Sequence, residues 1–363
     1  MSASTEAPRP RAVLVSVQLS GVTDAEQQSS LRELKRLCQT LGFEVVGEVT
    51  QKRQSLGAAT LLGKGKLREL AVWTGGTGVV PKGPPGKTKA TEEDEEEDET
   101  DPLHLEAPPA PTGERATVIV IDHELSPRQL RNIERATSVE VLDRTGVIIE
   151  IFHRHASSRP ARLQVEIARL TYVAPRLRET GGGERQRGGI GQRGAGESSV
   201  ELDRRKIRDR ISELKTELAA IEDESKTRRA RRQESLRVAL VGYTNAGKSS
   251  LMRALTGSHV LVADQLFATL DTTVHALWPE SRPRILISDT VGFIKKLPHD
   301  LVASFRSTLD EALEASLLLQ IVDAADPGFR AQIQVTREVL DEIGAGDVPW
   351  SASPPDGAAS QAA

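Results

Sequence analysis

The stretch Gly242-Tyr243-Thr244-Asn245-Ala246-Gly247-Lys248-Ser249 reads G-x-x-x-x-G-K-S. Its flanks decide what it can mean. Leu236-Arg237-Val238-Ala239-Leu240-Val241 before it is an apolar run of strand length, and Ser250-Leu251-Met252-Arg253-Ala254-Leu255 after it has the composition of a helix start. A buried strand, a glycine-rich turn and a helix N-terminus in that order commit the segment to an α/β layer. They also make a phosphate cradle, because backbone N–H groups and the positive end of the helix dipole converge on the turn. In such a cradle Lys248 would reach the β- and γ-phosphates and the Ser249 hydroxyl would bind Mg²⁺. A glycine-rich turn that binds nothing is the weaker reading, since strand and helix both stand where a nucleotide needs them.

Two downstream segments extend the pattern to a nucleotide switch. Phe267-Ala268-Thr269-Leu270-Asp271 is the candidate first switch, whose threonine would sense Mg²⁺ and the γ-phosphate; Thr269 is favoured, with Thr272 and Thr273 as rivals. Val274 to Trp278 and Arg284 to Ser288 read as two strands, the second ending in Asp289-Thr290-Val291-Gly292, a D-x-x-G. Asp289 would hold Mg²⁺ through water, and the Gly292 amide would approach the γ-phosphate. Asp289 lies 41 residues beyond Lys248, which leaves room for one helix, a loop and two strands, the spacing of a Ras-like G domain. Lys248, Thr269 and Gly292 are thus the candidate catalytic residues, and Ser249 and Thr269 the candidate metal ligands. The three segments together form the expected contact set for a nucleotide with Mg²⁺.

The remainder of the 363 residues is long enough for further domains with their own cores, and with 3% aromatic residues those cores must be aliphatic. Arg11 to Leu19 reads as a strand, Leu31, Leu34, Leu37 and Leu41 as a helical stripe, Phe43 to Val49 as a second strand, and Gly63-Lys64-Gly65-Lys66 as a turn entering a helix. Strand and helix resume at Thr117 to Ile121 and Ser126-Pro127, followed by a strand at Val139 to Leu142 and an apolar run over Val147 to Phe152. This predicts a parallel α/β domain over 11–158. Thr74 to Gly113 interrupts it with Gly, Pro and eight successive acids, Glu92 to Glu99, and reads as a disordered insertion.

Residues 159–235 carry two further stripes. Leu163, Ile167 and Leu170 form one; Ile207, Ile211, Leu214, Leu218 and Ile221 form the other, at coiled-coil spacing. They predict an antiparallel helical hairpin with a glycine-rich tip over Gly181 to Gly196. From Arg159 to Arg193 eight arginines face three glutamates. That balance suits either an RNA surface or a plain flexible loop. A G domain over 236–349 and a structureless tail over 350–363 complete the expected division. The single cysteine, Cys38, excludes an intrachain disulfide and suits a reducing cytoplasm. No apolar leader precedes Arg11, and the longest apolar stretch, Leu317 to Ala325, is too short to span a bilayer. A cytoplasmic monomer without membrane insertion is expected.

The sequence resembles HflX-type GTPases, the ribosome-associated branch of the translation-factor class. The resemblance rests on Gly63-Lys64-Gly65-Lys66-Leu67, Glu124-Leu125-Ser126-Pro127-Arg128-Gln129-Leu130, Leu142-Asp143-Arg144-Thr145-Gly146, Leu163-Gln164-Val165-Glu166, Gly189-Ile190-Gly191-Gln192-Arg193-Gly194-Ala195-Gly196-Glu197, the phosphate loop, and Ser288-Asp289-Thr290-Val291-Gly292-Phe293-Ile294. It runs from about Val13 to Pro349, the acidic insertion excepted. It implies an N-terminal α/β domain, a helical linker and a G domain. It further implies binding of GTP and GDP, GTP hydrolysis, and association with the large ribosomal subunit and its RNA, with splitting or rescue of stalled ribosomes. It also favours RNA contact for the basic tip.

Two features bear on that expectation. Phe293 stands where Ras-like enzymes carry the glutamine that orients the attacking water, a replacement the family shares, so slow intrinsic hydrolysis is expected. The family would continue past Pro349 into a strand ending in N-K-x-D, whose aspartate reads guanine; here Trp350 to Ala363 is low-complexity and no N-K-x-D occurs. The expectation is therefore a truncated G domain lacking its last two strands, with weak binding and poor discrimination between GTP and ATP. A non-catalytic ribosome- or RNA-binding remnant is the alternative, and a P-loop ATPase a third reading that the D-x-x-G and first switch oppose.

Overall fold

The computed structural model describes residues 9–57, 59–80, 115–177, 199–230, 235–258, 265–270, 272–297 and 306–352. They divide into two compact units, Met1–Ile151 and Phe152–Ala363. The helical segment expected as a separate linker groups with the second unit, and the division falls a few residues before the expected 158/159 boundary.

The first unit is built on a four-stranded parallel sheet, β1 (Arg11–Leu19), β2 (Glu44–Arg53), β3 (Val118–Ile121) and β4 (Glu140–Asp143), in the order β2-β1-β3-β4. Helices α1 (Asp24–Thr40), α2 (Lys64–Thr74) and α3 (Pro127–Thr137) connect the strands, and α4 (Arg144–His155) follows β4. Alternate residues of β1 serve opposite faces. Val13, Val15 and Val17 pack with Leu67 and Leu70 of α2 and Ile133 and Ala136 of α3. Helix α1 buries Leu31, Leu34, Leu37 and Cys38, none of which joins that cluster, so it covers the other face. With both faces covered, β1 is buried without a break from Ala12 to Gln18, Ser16 and Gln18 included.

Two capping boxes fix helix starts in this unit. Thr23 and Glu26 cap α1, and Ser126 and Gln129 cap α3 with Pro127 at its first position. The order β2-β1-β3-β4 places the sheet's reversal between β1 and β3, where open α/β sheets commonly take ligands beyond the strand ends. Here buried Asp122, directly after β3, pairs with Arg144 at 2.7 Å; Arg144 also pairs with Glu33, and Ser30 donates to Asp122 Oδ2 at 2.6 Å. The insertion expected from Thr74 begins later. Gly78 donates to the Ala136 carbonyl and Val80 packs on the core, while 81–114 lies outside the described residues.

In the second unit α5 (Arg159–Val173) and α6 (Ser199–Ala230) pair antiparallel, as Arg159–Glu217 and Arg210–Glu166 contacts show. Leu163, Ile167 and Leu214 form their shared core, flanked by Leu170, Ile211, Leu218 and Ile221. The expected Gly/Arg-rich tip, 181–196, lies outside the described residues. A second sheet contains β5 (Leu236–Gly242), β6 (Thr273–Ala276), β7 (Ile285–Asp289), β8 (Leu317–Ile321) and β9 (Trp350–Ala352), in the order β6-β7-β5-β8-β9. All its pairs are parallel except β6–β7. Helix α7 (Lys248–Thr256) packs on one face through Met252, with Leu240 and Ile287. Helices α8 (Arg306–Leu313) and α9 (Phe329–Ile343) pack on the other through Leu309, Val339 and Leu340, with Ala239, Val241 and Leu318.

Strand β9 corrects the expectation of a structureless chain from Trp350. Leu318 N–H donates to the Pro349 carbonyl, Leu318, Leu319 and Gln320 register with Trp350, Ser351 and Ala352, and the Arg337 guanidinium lies 4.2 Å from the Trp350 ring centroid. The unpaired edge of β8 and a cation over the indole hold these three residues extended, whatever their low-complexity context. Residues 353–363 lie outside the described part of the chain.

Candidate functional site

The central strand β5 delivers Gly242 to the turn, and α7 opens at Lys248 directly behind it. Gly247 caps the helix at φ +93°, in the left-handed region that lets the loop close over a ligand without a Cβ penalty. Lys248 is buried, and its Nζ donates to the Tyr243 carbonyl at 2.8 Å and the Gly242 carbonyl at 3.2 Å. Burial pushes its pKa down to about 8, against an opposing pull from Asp289. Burial likewise raises the Asp289 pKa, opposed by the Ser249 hydrogen bond and the Lys248 charge. Both shifts have one leading cause: the cradle withdraws its charges from water.

Three oxygens converge beside Lys248. Ser249 Oγ donates to Asp289 Oδ2 at 2.6 Å and lies 2.8 Å from Thr269 Oγ1, which donates to the same Oδ2 at 3.3 Å. The buried Asp289 Oδ1 makes no hydrogen bond of normal geometry, although the Thr290 amide favours the charged carboxylate. Two hydroxyls and a desolvated carboxylate are the hard oxygen donors that Mg²⁺ takes while keeping part of its water shell. The residues therefore fit Mg²⁺. Thr269 is the switch threonine that meets this cluster; Thr273 lies instead in β6, paired with Asp289 in register.

Gly292 closes the cavity from the opposite side. A Cβ there would stand 2.5 Å from Thr244 Cα and 3.0 Å from Lys248 Nζ, so only glycine permits this approach. The segment is zipped onto the phosphate loop: Thr244 N–H donates to the Phe293 carbonyl at 2.7 Å, and Phe293 N–H to the Gly242 carbonyl at 3.1 Å. The Phe293 ring is turned away into the core with Leu309, Ala312 and Leu318. Chemically, the arrangement can bind a polyphosphate, hold a divalent cation and neutralise charge through Lys248, while Phe293 offers no group to orient water.

Not every expected contact residue faces the cavity. Thr244, Asn245, Gly247, Lys248, Ser249, Phe267, Ala268, Thr269, Thr290 and Gly292 line it. Gly242, Tyr243, Ala246, Leu270, Asp289 and Val291 do not line it directly. Gly242 and Tyr243 hold Lys248 through their carbonyls, Asp289 supports the hydroxyls, and Leu270 and Val291 are buried. Asp271 lies outside the described residues. The Thr290 hydroxyl donates to the Leu240 carbonyl at 2.7 Å and is thus structural.

Sequence reasoning missed Gln265 and Ser250, which also line the cavity, and no motif marks either. It missed as well the tie between the loop and the first switch, in which Phe267 N–H donates to Thr244 Oγ1 at 2.8 Å, and two residues behind that switch, Phe152 and His155.

Three family descriptions match the chain. Residues 237–348 match the family described as 50S ribosome-binding GTPase, 155–232 the GTP-binding GTPase Middle Region, and 28–79 with 109–153 the GTP-binding GTPase N-terminal region. The GTPase HflX of Gluconacetobacter diazotrophicus is 64% identical over 350 residues, which cover 95% of this chain and 76% of that protein. The chain belongs to the HflX family of GTPases. The HflX of Escherichia coli is 38% identical over 345 residues, covering 93% of this chain and 71% of that one. Among solved structures, a GTP-binding protein from Sulfolobus solfataricus in complex with GDP is 23% identical over 94% of this chain and 81% of that one, at a TM-score of 0.44. Among the described residues no helix is long and apolar enough to cross a membrane.

Proposed function

We propose that this HflX-family chain binds GTP with Mg²⁺ in the Gly242–Ser249 cradle, hydrolyses it to GDP and phosphate, and uses the nucleotide state to control association with the large ribosomal subunit, splitting or rescuing stalled ribosomes. The observation that carries the reading is the convergence of Ser249, Thr269 and Asp289 beside Lys248. It joins the phosphate loop, the first switch and the D-x-x-G at one point. Ser249 and Thr269, with Asp289 behind them, would hold Mg²⁺, which would supply positive charge against the phosphates. Lys248 and the loop amides would neutralise the remainder. Thr269 and the Gly292 amide would register the γ-phosphate, coupling its presence to the shape of both switch segments. The ribosomal partner rests on the family matched by 237–348 and on the arginine excess of the hairpin.

The buried ring of Phe293 explains why hydrolysis would be slow without a partner, and the ribosome would supply the missing alignment of water. The experiment measures single-turnover GTP hydrolysis with and without 50S subunits and 70S ribosomes, with light scattering to follow splitting and ATP as competitor. Mg²⁺-dependent hydrolysis stimulated by ribosomes is expected. Equal turnover with and without them would remove the ribosome from the mechanism, and loss of nucleotide binding altogether would remove the GTPase reading.

A further inference from the structure

The first switch is also held by contacts outside the cation cluster. Phe267 has φ +58°, in the left-handed region that a phenylalanine seldom occupies. Three contacts fix it there. Its N–H donates to Thr244 Oγ1 at 2.8 Å, its carbonyl lies 2.8 Å from His155 Nδ1, and its ring meets the Phe152 ring edge-on, with centroids 4.6 Å apart and planes at 71°. A carbonyl oxygen only accepts, so His155 Nδ1 carries the proton and donates. Phe152 and His155 stand three residues apart on the last turn of α4, on one helix face, and fall in the same compact unit as the nucleotide cavity. Both rings are almost fully buried, Phe152 at 1% and Phe267 at 2% exposure. Only Ala268 separates Phe267 from Thr269, whose hydroxyl reaches Ser249 and Asp289. A strained backbone two residues from Thr269 is thus pinned by a hydrogen bond and an aromatic contact from His155 and Phe152, which do not themselves line the cavity.

We propose that His155 and Phe152 are positioning residues of the GTPase site: acting through Phe267, they hold the first switch in the register that brings Thr269 to the cation. The proposal rests on the GTP and Mg²⁺ reading given above. Without the His155 bond, Phe267 relaxes from its left-handed conformation, and Thr269 withdraws from Ser249 and Asp289. The γ-phosphate and Mg²⁺ draw on the first switch and GDP does not, so the defect should be selective for the triphosphate.

The test uses the full chain with His155→Ala, His155→Asn and Phe152→Leu, and measures affinity for a non-hydrolysable GTP analogue, affinity for GDP, and the Mg²⁺ concentration for half-maximal hydrolysis. For His155→Ala we expect the analogue affinity to fall and the Mg²⁺ requirement to rise by about fivefold to tenfold, the scale of one lost hydrogen bond, with GDP affinity unchanged. His155→Asn, whose amide nitrogen stands near the place of Nδ1, should restore both. Phe152→Leu should shift them in the same direction by about twofold to threefold, as expected for loss of one aromatic pair, and keeps the test open should His155→Ala fold poorly. Equal losses for GDP and the analogue, a wild-type Mg²⁺ requirement in His155→Ala, or an Asn variant no better than Ala would each overturn the proposal. A wild-type chain that binds neither nucleotide would instead overturn the GTPase reading on which it rests.

Discussion

Gly292 is the residue on which the two halves of the site depend most directly. A methyl group there meets the Thr244 backbone and the Lys248 ammonium, so Gly292→Ala must push the D-x-x-G segment off the phosphate loop. Hydrolysis is expected to fall on the order of 10²-fold, as for loss of a transition-state donor, with GDP binding largely kept; stopped-flow binding beside single-turnover kinetics would separate the two. Cys38 offers a different check. It is buried among the leucines of α1, and burial pushes its thiol pKa from 9.0 up to about 12. The folded chain therefore keeps the proton at pH values where the unfolded chain has lost it. Stability from this source is complete below pH 9 and declines from there towards pH 12. Between pH 9 and 10 the loss should be about 1 kcal/mol, read by denaturant titration and absent in Cys38→Ala.

At the scale of elements, what the sequence revealed follows from where the physical signal lies. The phosphate loop and D-x-x-G are legible because their chemistry is local: glycines for close approach, a lysine, a hydroxyl and a carboxylate at fixed offsets. Helix α4 was less so. Val147, Ile148, Ile149, Ile151 and Phe152 are all buried, and a helix enclosed on nearly every side loses the 3.6-residue period that would distinguish it from a strand. Helix α1 begins at Asp24, well before the stripe that opens at Leu31, because its first turns are polar. The Thr23–Glu26 capping box was the readable sign of that start. The His155–Phe267 contact, 112 residues apart in sequence, had no sequence signature at all. The α5–α6 hairpin was fully legible from its stripes. Its centre, Leu214, is 0% exposed, so Leu214→Ala should destabilise the hairpin by about 2–5 kcal/mol, seen as a lowered helical melting midpoint in circular dichroism.

For the molecule as a whole, each compact unit owns a separate sheet and core, and the nucleotide cavity lies wholly in Phe152–Ala363. Saturating GTP with Mg²⁺ should therefore stabilise that unit selectively, by about 2.7 kcal/mol at a hundredfold excess over Kd. Calorimetry or hydrogen exchange would detect it as added protection within 236–352 and none in the β1–β4 sheet. Uniform protection of both units would contradict a nucleotide site confined to one.

The Asp122–Arg144–Glu33 cluster gives the first unit a distinct character. At the reversal point of its sheet, where open α/β sheets commonly take ligands, this domain sets two carboxylates against its own arginine. Any anion arriving there would have to evict two carboxylates before it could be welcomed by one guanidinium.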